Sequence, residues 1–298
     1  MGDYHVPVLL NEVIQGLEIK PGEKYIDCTL GGSGHTKGIL EAGGIVLGID
    51  QDGEALRNAQ ENLQFEIKNF KLNLRKANFA HLKEIAVEAG FNPVSGILFD
   101  LWVSSHQLET NYRGFSFARG RLAKLDMRMD QTGQKITAAD LVNAGSEKEL
   151  ANLFWKYGEE RFSKQIARQI VESRKQKVIE TTNELAEIIL RARPAASRRG
   201  RDRTHPATRV FQALRIAVND ELAGLEMALP QAVELLKPGG KLAVISFHSL
   251  EDRIVKDFMR INTNWLRIIT NKPVIPTKEE IKINPRARSG KLRIAEKI

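Results

Sequence analysis

Three carboxylates and one glycine-rich stretch carry the first chemical signal in this chain. Asp27-Cys-Thr-Leu-Gly31-Gly-Ser-Gly34-His35 follows a short strand pattern and opens a helical one. Glycines at such a turn let the backbone approach a ligand, and the helix start offers free N–H groups. Gly32 and Gly34 supply G-x-G, but Lys37 stands where the dinucleotide fingerprint needs its third glycine. A nicotinamide dehydrogenase is disfavoured on that ground. The first loop of class I methyltransferases has an acidic residue at the strand end and then spaced glycines, and it faces a methionine moiety. The match to it is loose, with Thr29 and Ser33 at positions where glycine is frequent, and a plain strand-to-helix turn accounts for the stretch equally well. Asp50 ends a second strand pattern, where a carboxylate can accept from both ribose hydroxyls of an adenosine. Its competing role, helix capping, suits Asp52 better. Phe79 follows a third strand pattern, where methyltransferases hold adenine between apolar side chains, although a lone Phe is more often core. Asp100 ends a fourth. Ligands in open α/β sheets bind at the carboxyl ends of strands, so Asp27, Asp50 and Asp100 converge on one crevice.

The elements that must position these residues alternate. Strand patterns at 24–29, 44–50, 72–77 and 94–100 are separated by helical patterns at 36–42, 53–65 and 81–89. That alternation implies βαβ crossovers and a parallel sheet. From 107 to 205 no buried strand appears. Amphipathic helices are expected at 138–142, 147–157, 161–175 and 182–193, with Phe162, Ile166, Ile170 and Val171 on one face of the third. After 205 comes a helical stretch over 209–236 that Pro230 should break or kink. A Lys237-Pro-Gly-Gly240 turn, an apolar strand at 241–247, a helix at 252–260 and final strands at 266–270 and 292–296 complete the pattern. The expected organisation is a Rossmann-like domain in two parts, 1–106 and 206–298, with an all-helical insertion at 107–205.

Composition bounds the rest. The 298 residues hold 45 Lys and Arg against 37 Asp and Glu, a net charge of +8, which favours a polyanionic partner. Six arginines (191, 193, 198, 199, 201 and 203) crowd one segment broken by small residues, a composition suited to phosphate contacts. A single cysteine, Cys28, permits neither an internal disulfide nor a cysteine-cluster metal site, and no H-x-x-x-H pattern points to a metal. No apolar run reaches the ~18 residues of a membrane span, and no secretory signal is present, so the expected location is the cytoplasm.

Longer words then stand in order from end to end: His5-Val-Pro-Val-Leu9, the stretches 27–35 and 100–107, Arg113-Gly-Phe-Ser-Phe117, Leu125-Asp-Met-Arg-Met-Asp130, Gly158-Glu-Glu-Arg-Phe162, the stretch 205–215, Ser246-Phe-His-Ser-Leu-Glu-Asp-Arg253 and Asn284-Pro-Arg-Ala-Arg288. In these the sequence closely resembles the MraW/RsmH family, the bacterial small-subunit ribosomal RNA cytosine-N4 methyltransferases. The resemblance implies a class I methyltransferase domain with an inserted helical domain, S-adenosylmethionine as donor, and a cytidine in the decoding region of 16S rRNA as acceptor. The substrate form it implies is the small ribosomal subunit, with no membrane or DNA partner, and a homodimer is compatible with it. Carried over by motif, donor contacts fall on Ser33, Gly34, His35, Asp50, Phe79, Asp100 and Gln107. Asp100 and Ser104 are the candidates to accept from the exocyclic amine of the base. The chain departs from the family pattern at Ser33, at Trp102 and His106 (glycine and proline in the family), and at a longer, more basic link over 119–124. Trp102 is expected to shrink the acceptor pocket or move its loop. A methyltransferase of another nucleic-acid amine is the nearest alternative, but Asp100-Leu-Trp-Val lacks the Pro-Pro of the DNA enzymes. The alternative from another class is a non-catalytic RNA-binding protein of ribosome assembly.

His248 and Leu125–Asp130 read as structural, the latter because Arg128 stands between Asp126 and Asp130. The basic tail of Arg286, Arg288, Lys291 and Arg293 joins the arginine segment as an expected rRNA contact.

Overall fold

The structure is a computed structural model and describes residues 7–117, 123–193 and 205–298. Seven strands form one sheet: β1 (Lys24–Asp27), β2 (Ile45–Asp50), β3 (Leu72–Lys76), β4 (Val94–Asp100), β5 (Leu236–Ser246), β6 (Leu266–Ile268) and β7 (Lys291–Lys297). Their order is β3-β2-β1-β4-β5-β7-β6. The first five run parallel, while β7 lies antiparallel to both β5 and β6.

Alternation along each strand builds two cores. Ile26, Leu47, Ile49, Ile97, Phe99, Leu242 and Val244 face one side of the sheet. That side is covered by α5 (Leu82–Glu88), α12 (Glu221–Leu235) and α13 (Ser249–Ile261), which bring Leu82, Leu225, Leu229 and Val255 to it. Tyr25, Val46, Leu98, Ala243 and Ile245 face the other side, where α1 (Leu10–Leu17) and α2 (Gly34–Glu41) supply Val13, Leu17 and Ile39. All seven residues of β4 are buried, as a central strand covered on both faces requires.

Three expected boundaries shift for local reasons. The expected 53–65 helix is two, α3 (Gly53–Asn62) and α4 (Gln64–Lys68), and Asp52 caps α3 by accepting from Glu54 N–H. The Lys237-Pro-Gly-Gly240 turn lies inside β5: Val94 pairs with Leu236 and Gly96 with Lys241, so the extra residues loop out within the strand. Pro230 stays inside an unbroken α12.

The chain divides into two compact units. One comprises Met1–Ser104 and Leu222–Ile298, the other Ser105–Glu221. The second crossing falls sixteen residues beyond the expected 205, because α11 (Thr208–Asn219) packs within the helical unit. There Gln212 donates to the Tyr157 carbonyl at 3.0 Å and Arg209 to that of Glu159 at 3.1 Å. A Cβ on Gly158 would sit 2.4 Å from the Arg209 carbonyl, so glycine permits the approach. The unit also holds α6 (Ser105–Glu109), α7 (Ala138–Ala144), α8 (Glu147–Gly158), α9 (Ser163–Arg174) and α10 (Thr182–Ala192). Capping boxes start α7, α8 and α10. Each supplies two hydrogen bonds that a helix start lacks.

Candidate active site

The sheet order reverses between β1 and β4, which opens a crevice at their carboxyl ends. Register sets its shape. Asp27, the last residue of β1, pairs with Gly48 on β2 and Leu98 on β4. Its neighbours run two residues further, to Asp50 and Asp100. The glycine-rich loop therefore drops into a notch with Asp50 on one wall and Asp100 on the other.

Each acid is held by short local bonds. Asp27 accepts from the Thr36 hydroxyl at 2.7 Å and Thr29 N–H at 3.1 Å. Asp50 accepts from Gly31 N–H and Asp52 N–H, both at 2.8 Å. Gly31 adopts a left-handed φ of 47°, which aims that amide. The Thr29 hydroxyl accepts from Asp100 N–H at 2.6 Å, tying the ends of β1 and β4. Oδ1 of Asp100 and Oγ of Ser33 are buried without a hydrogen-bond partner.

Burial dominates the electrostatics. It pushes Asp27 above the ordinary carboxylate range, Asp50 to about 7 and Asp100 well above its ordinary value. Among the described residues no Lys or Arg nitrogen lies within ion-pair distance of the three. Such a site favours a cationic ligand, whose charge offsets the cost of ionising these acids.

The structure places the other expected residues as follows. Ser33 precedes α2 in a left-handed conformation (φ 62°), which explains why glycine suits this position. A Cβ on Gly34 would stand 2.9 Å from Pro7, so the segment before α1 lies directly on the loop. His35 is buried, with Nε2 at 3.0 Å from the Val8 carbonyl. Phe79 begins a 3-10 turn capped by Asn78 and meets Phe99 edge-on at 5.7 Å. Ser104 is buried on the loop after β4. Gln107 lies on α6, in the helical unit. Trp102 leans on Phe247 at 4.5 Å, so two aromatic rings stand just beyond the ends of β4 and β5. Sequence reasoning missed Thr29, Thr36 and Val8, which orient the acids and His35. Thr29 and Thr36 stood two and nine residues after Asp27, and Val8 lay inside the first quoted word.

His248 has the expected structural role. It caps α13 by accepting from Glu251 N–H, and Glu251 returns by accepting from Phe247 N–H at 2.7 Å. Two expectations are corrected: Arg193 is buried with its guanidinium over the Phe162 ring, and Arg293 is buried and donates to Asp252 at 2.7 Å, with Lys291 on the same carboxylate at 3.2 Å. An arginine so held is not available to RNA. His5, the link residues 119–122 and Arg198, Arg199, Arg201 and Arg203 lie outside the described residues.

A doubly wound sheet with an acid-lined notch at its switch point defines a class I methyltransferase domain. The model of the MraW methylase family matches residues 3–298, and the chain belongs to that family. Ribosomal RNA small subunit methyltransferase H of Brevibacillus brevis is 48% identical over 315 residues, covering 99% of this chain and 98% of that one. Two solved structures align more distantly. The putative rRNA-methylase from Clostridium thermocellum has a TM-score of 0.48 and 13% identity over 98% of this chain and 99% of that one. A putative methyltransferase from Streptococcus mutans, solved with SAH, has a TM-score of 0.46 and 12% identity over 98% and 99%. The residues present fit S-adenosylmethionine: its positive charge suits an uncompensated acidic notch, and the unpartnered Asp100 Oδ1 is a ready acceptor. Among the described residues no helix is long and apolar enough to cross a membrane.

Proposed function

We propose that this chain methylates N4 of a cytidine in the decoding region of 16S rRNA, within the small ribosomal subunit. Family membership and the identity to a small-subunit rRNA methyltransferase support the reaction class and the substrate. The observation that carries the donor reading is the notch of three carboxylates, Asp27 and Asp100 buried and Asp50 half-buried, without a cation. S-adenosylmethionine supplies an electrophilic methyl group when bound. The loop of Ser33 and Gly34 would hold its methionine end, Asp50 would accept from the ribose hydroxyls, and Phe79 would border the adenine. Gln107 is assigned to the donor by motif.

The exocyclic amine of cytosine is a weak nucleophile because its lone pair is delocalised into the ring. Catalysis needs it held in line with the methyl group and pyramidalised by acceptors at its protons. Asp100, Ser104 and the backbone carbonyls of 101–103 are the assigned acceptors. The Trp102–Phe247 pair offers the flipped base an aromatic wall. The proton on nitrogen can leave after transfer, so no strong base is required. Arg191, exposed at the end of α10, serves as a phosphate contact in this reading, and Arg193 does not.

Incubation with tritiated S-adenosylmethionine and unmodified small subunits, followed by nucleoside analysis, tests the proposal. Label in N4-methylcytidine is expected. Label in another nucleoside, or none, contradicts it.

A further inference from the structure

Both ring nitrogens of His35 are committed. Nε2 lies 3.0 Å from the Val8 carbonyl, which only accepts, so Nε2 carries the hydrogen. Nδ1 of the neutral ring is then a bare lone pair, and it faces Asp100 Oδ2 at 3.4 Å. Two acceptors face each other favourably only with a proton between them. That proton makes either an imidazolium and a carboxylate or a neutral imidazole and a carboxylic acid.

The surroundings choose the second form. The titratable groups around Asp100 are His35 from α2, Asp27 from β1 and Glu251 from α13, with the Trp102 amide donating to the carboxyl. Burial lowers His35 to about 4, which leaves it neutral near pH 7. Burial, then the charges of Asp27 and Glu251, raise Asp100.

We propose that Asp100 is held as a neutral acid in the ligand-free protein by donating to His35 Nδ1, and that binding of the cationic methyl donor expels this proton. This rests on the donor reading above. The balance is simple: the Asp100 O–H bond breaks, the proton passes to the buffer, and the donor's positive charge takes its place. His35 is a positioning residue here. Val8 fixes its tautomer, and the tautomer presents an acceptor to Asp100. The segment before α1 thus reaches the site through one imidazole.

Calorimetric titration with S-adenosylmethionine at pH 7, in buffers of different ionisation enthalpy, counts the protons released. The wild type should release close to one proton more than Asp100→Asn, whose amide mimics the neutral acid. Wild-type affinity should fall, by up to tenfold per pH unit, as pH is lowered below neutral. Equal proton counts overturn the proposal, whereas absence of any binding overturns the donor reading beneath it. The wild type alone gives a second test. Its infrared spectrum should show a protonated-carboxyl band that donor binding removes, and nitrogen-15 NMR should show His35 as the neutral Nε2–H tautomer. An imidazolium, or a carboxyl band unchanged by donor, overturns the proposal.

Discussion

Buried charge in the notch of the sheet unit is handled differently from buried charge in the helical unit. In the helical unit cations are matched. Arg128 forms a two-pronged pair with Asp126 at 2.7 and 2.8 Å and also reaches the Gln134 carbonyl at 2.8 Å. Arg113, fully buried, donates to the carbonyls of Arg128 and Met129. Arg174 donates to the carbonyls of Val142 and Gly145, and Arg215 pairs with Glu221. In the sheet unit Arg293 and Lys241 are matched too, to Asp252 and Glu296, but the notch acids (buried Asp27 and Asp100, half-buried Asp50) lack cations, and the Asp100 carboxyl keeps an orphaned oxygen. Matched charges specify a fold, and breaking one leaves a buried group unsatisfied. Unmatched charges cost stability that a ligand can return. The contrast separates residues that hold the molecule from residues that serve it.

Predictions from this contrast run from large to small. Asp100→Ala should reduce methyl transfer by about 100-fold or more, measured as tritium incorporated into subunits, with the helical content unchanged in circular dichroism. Asp126→Ala should do the reverse. It strands Arg128 and should destabilise the protein by about 2 kcal/mol in denaturant melts while leaving donor affinity intact. Equal effects of the two variants on stability would erase the distinction between the units.

A subtler test uses pH. Asp100 has its folded-state affinity for protons raised above the unfolded value, so its contribution to stability is greatest below about pH 4. That contribution is lost progressively as pH rises. Asp100→Asn should therefore melt higher than wild type at pH 7 without ligand, with the difference vanishing near pH 4. The same logic applies to Asp50, raised to about 7 by burial: its Asn variant should show the gap opening between about pH 4 and 7. Smallest is Ser33→Gly. Relief of a left-handed serine should raise stability by at most about 1 kcal/mol in the same melts.

Much of the sheet unit was legible because its signals are local. Strand 94–100 was read to the residue, since a run buried on both faces is bounded by Pro93 at one end and by an acid at the other. The three acids were legible for the same reason: strand ends at a switch point face one crevice whatever the rest of the chain does. What stayed hidden depends on distance in sequence. Nothing near Arg293 announces Asp252, 41 residues earlier, and nothing near His35 announces the Val8 carbonyl. The return to the sheet unit was misplaced because α11 and the helices before it have the same amphipathic pattern. Only packing, such as the close approach of Gly158 to Arg209, assigns α11 to the helical unit.

In the proposed function, the notch of Asp27, Asp50 and Asp100 takes a cationic methyl donor and not a dinucleotide. Equilibrium titration of the wild-type protein with S-adenosylmethionine and, separately, with NAD tests it most directly. Saturable one-to-one binding of S-adenosylmethionine is expected, and none of NAD. Binding of NAD, or failure to bind S-adenosylmethionine, would contradict it.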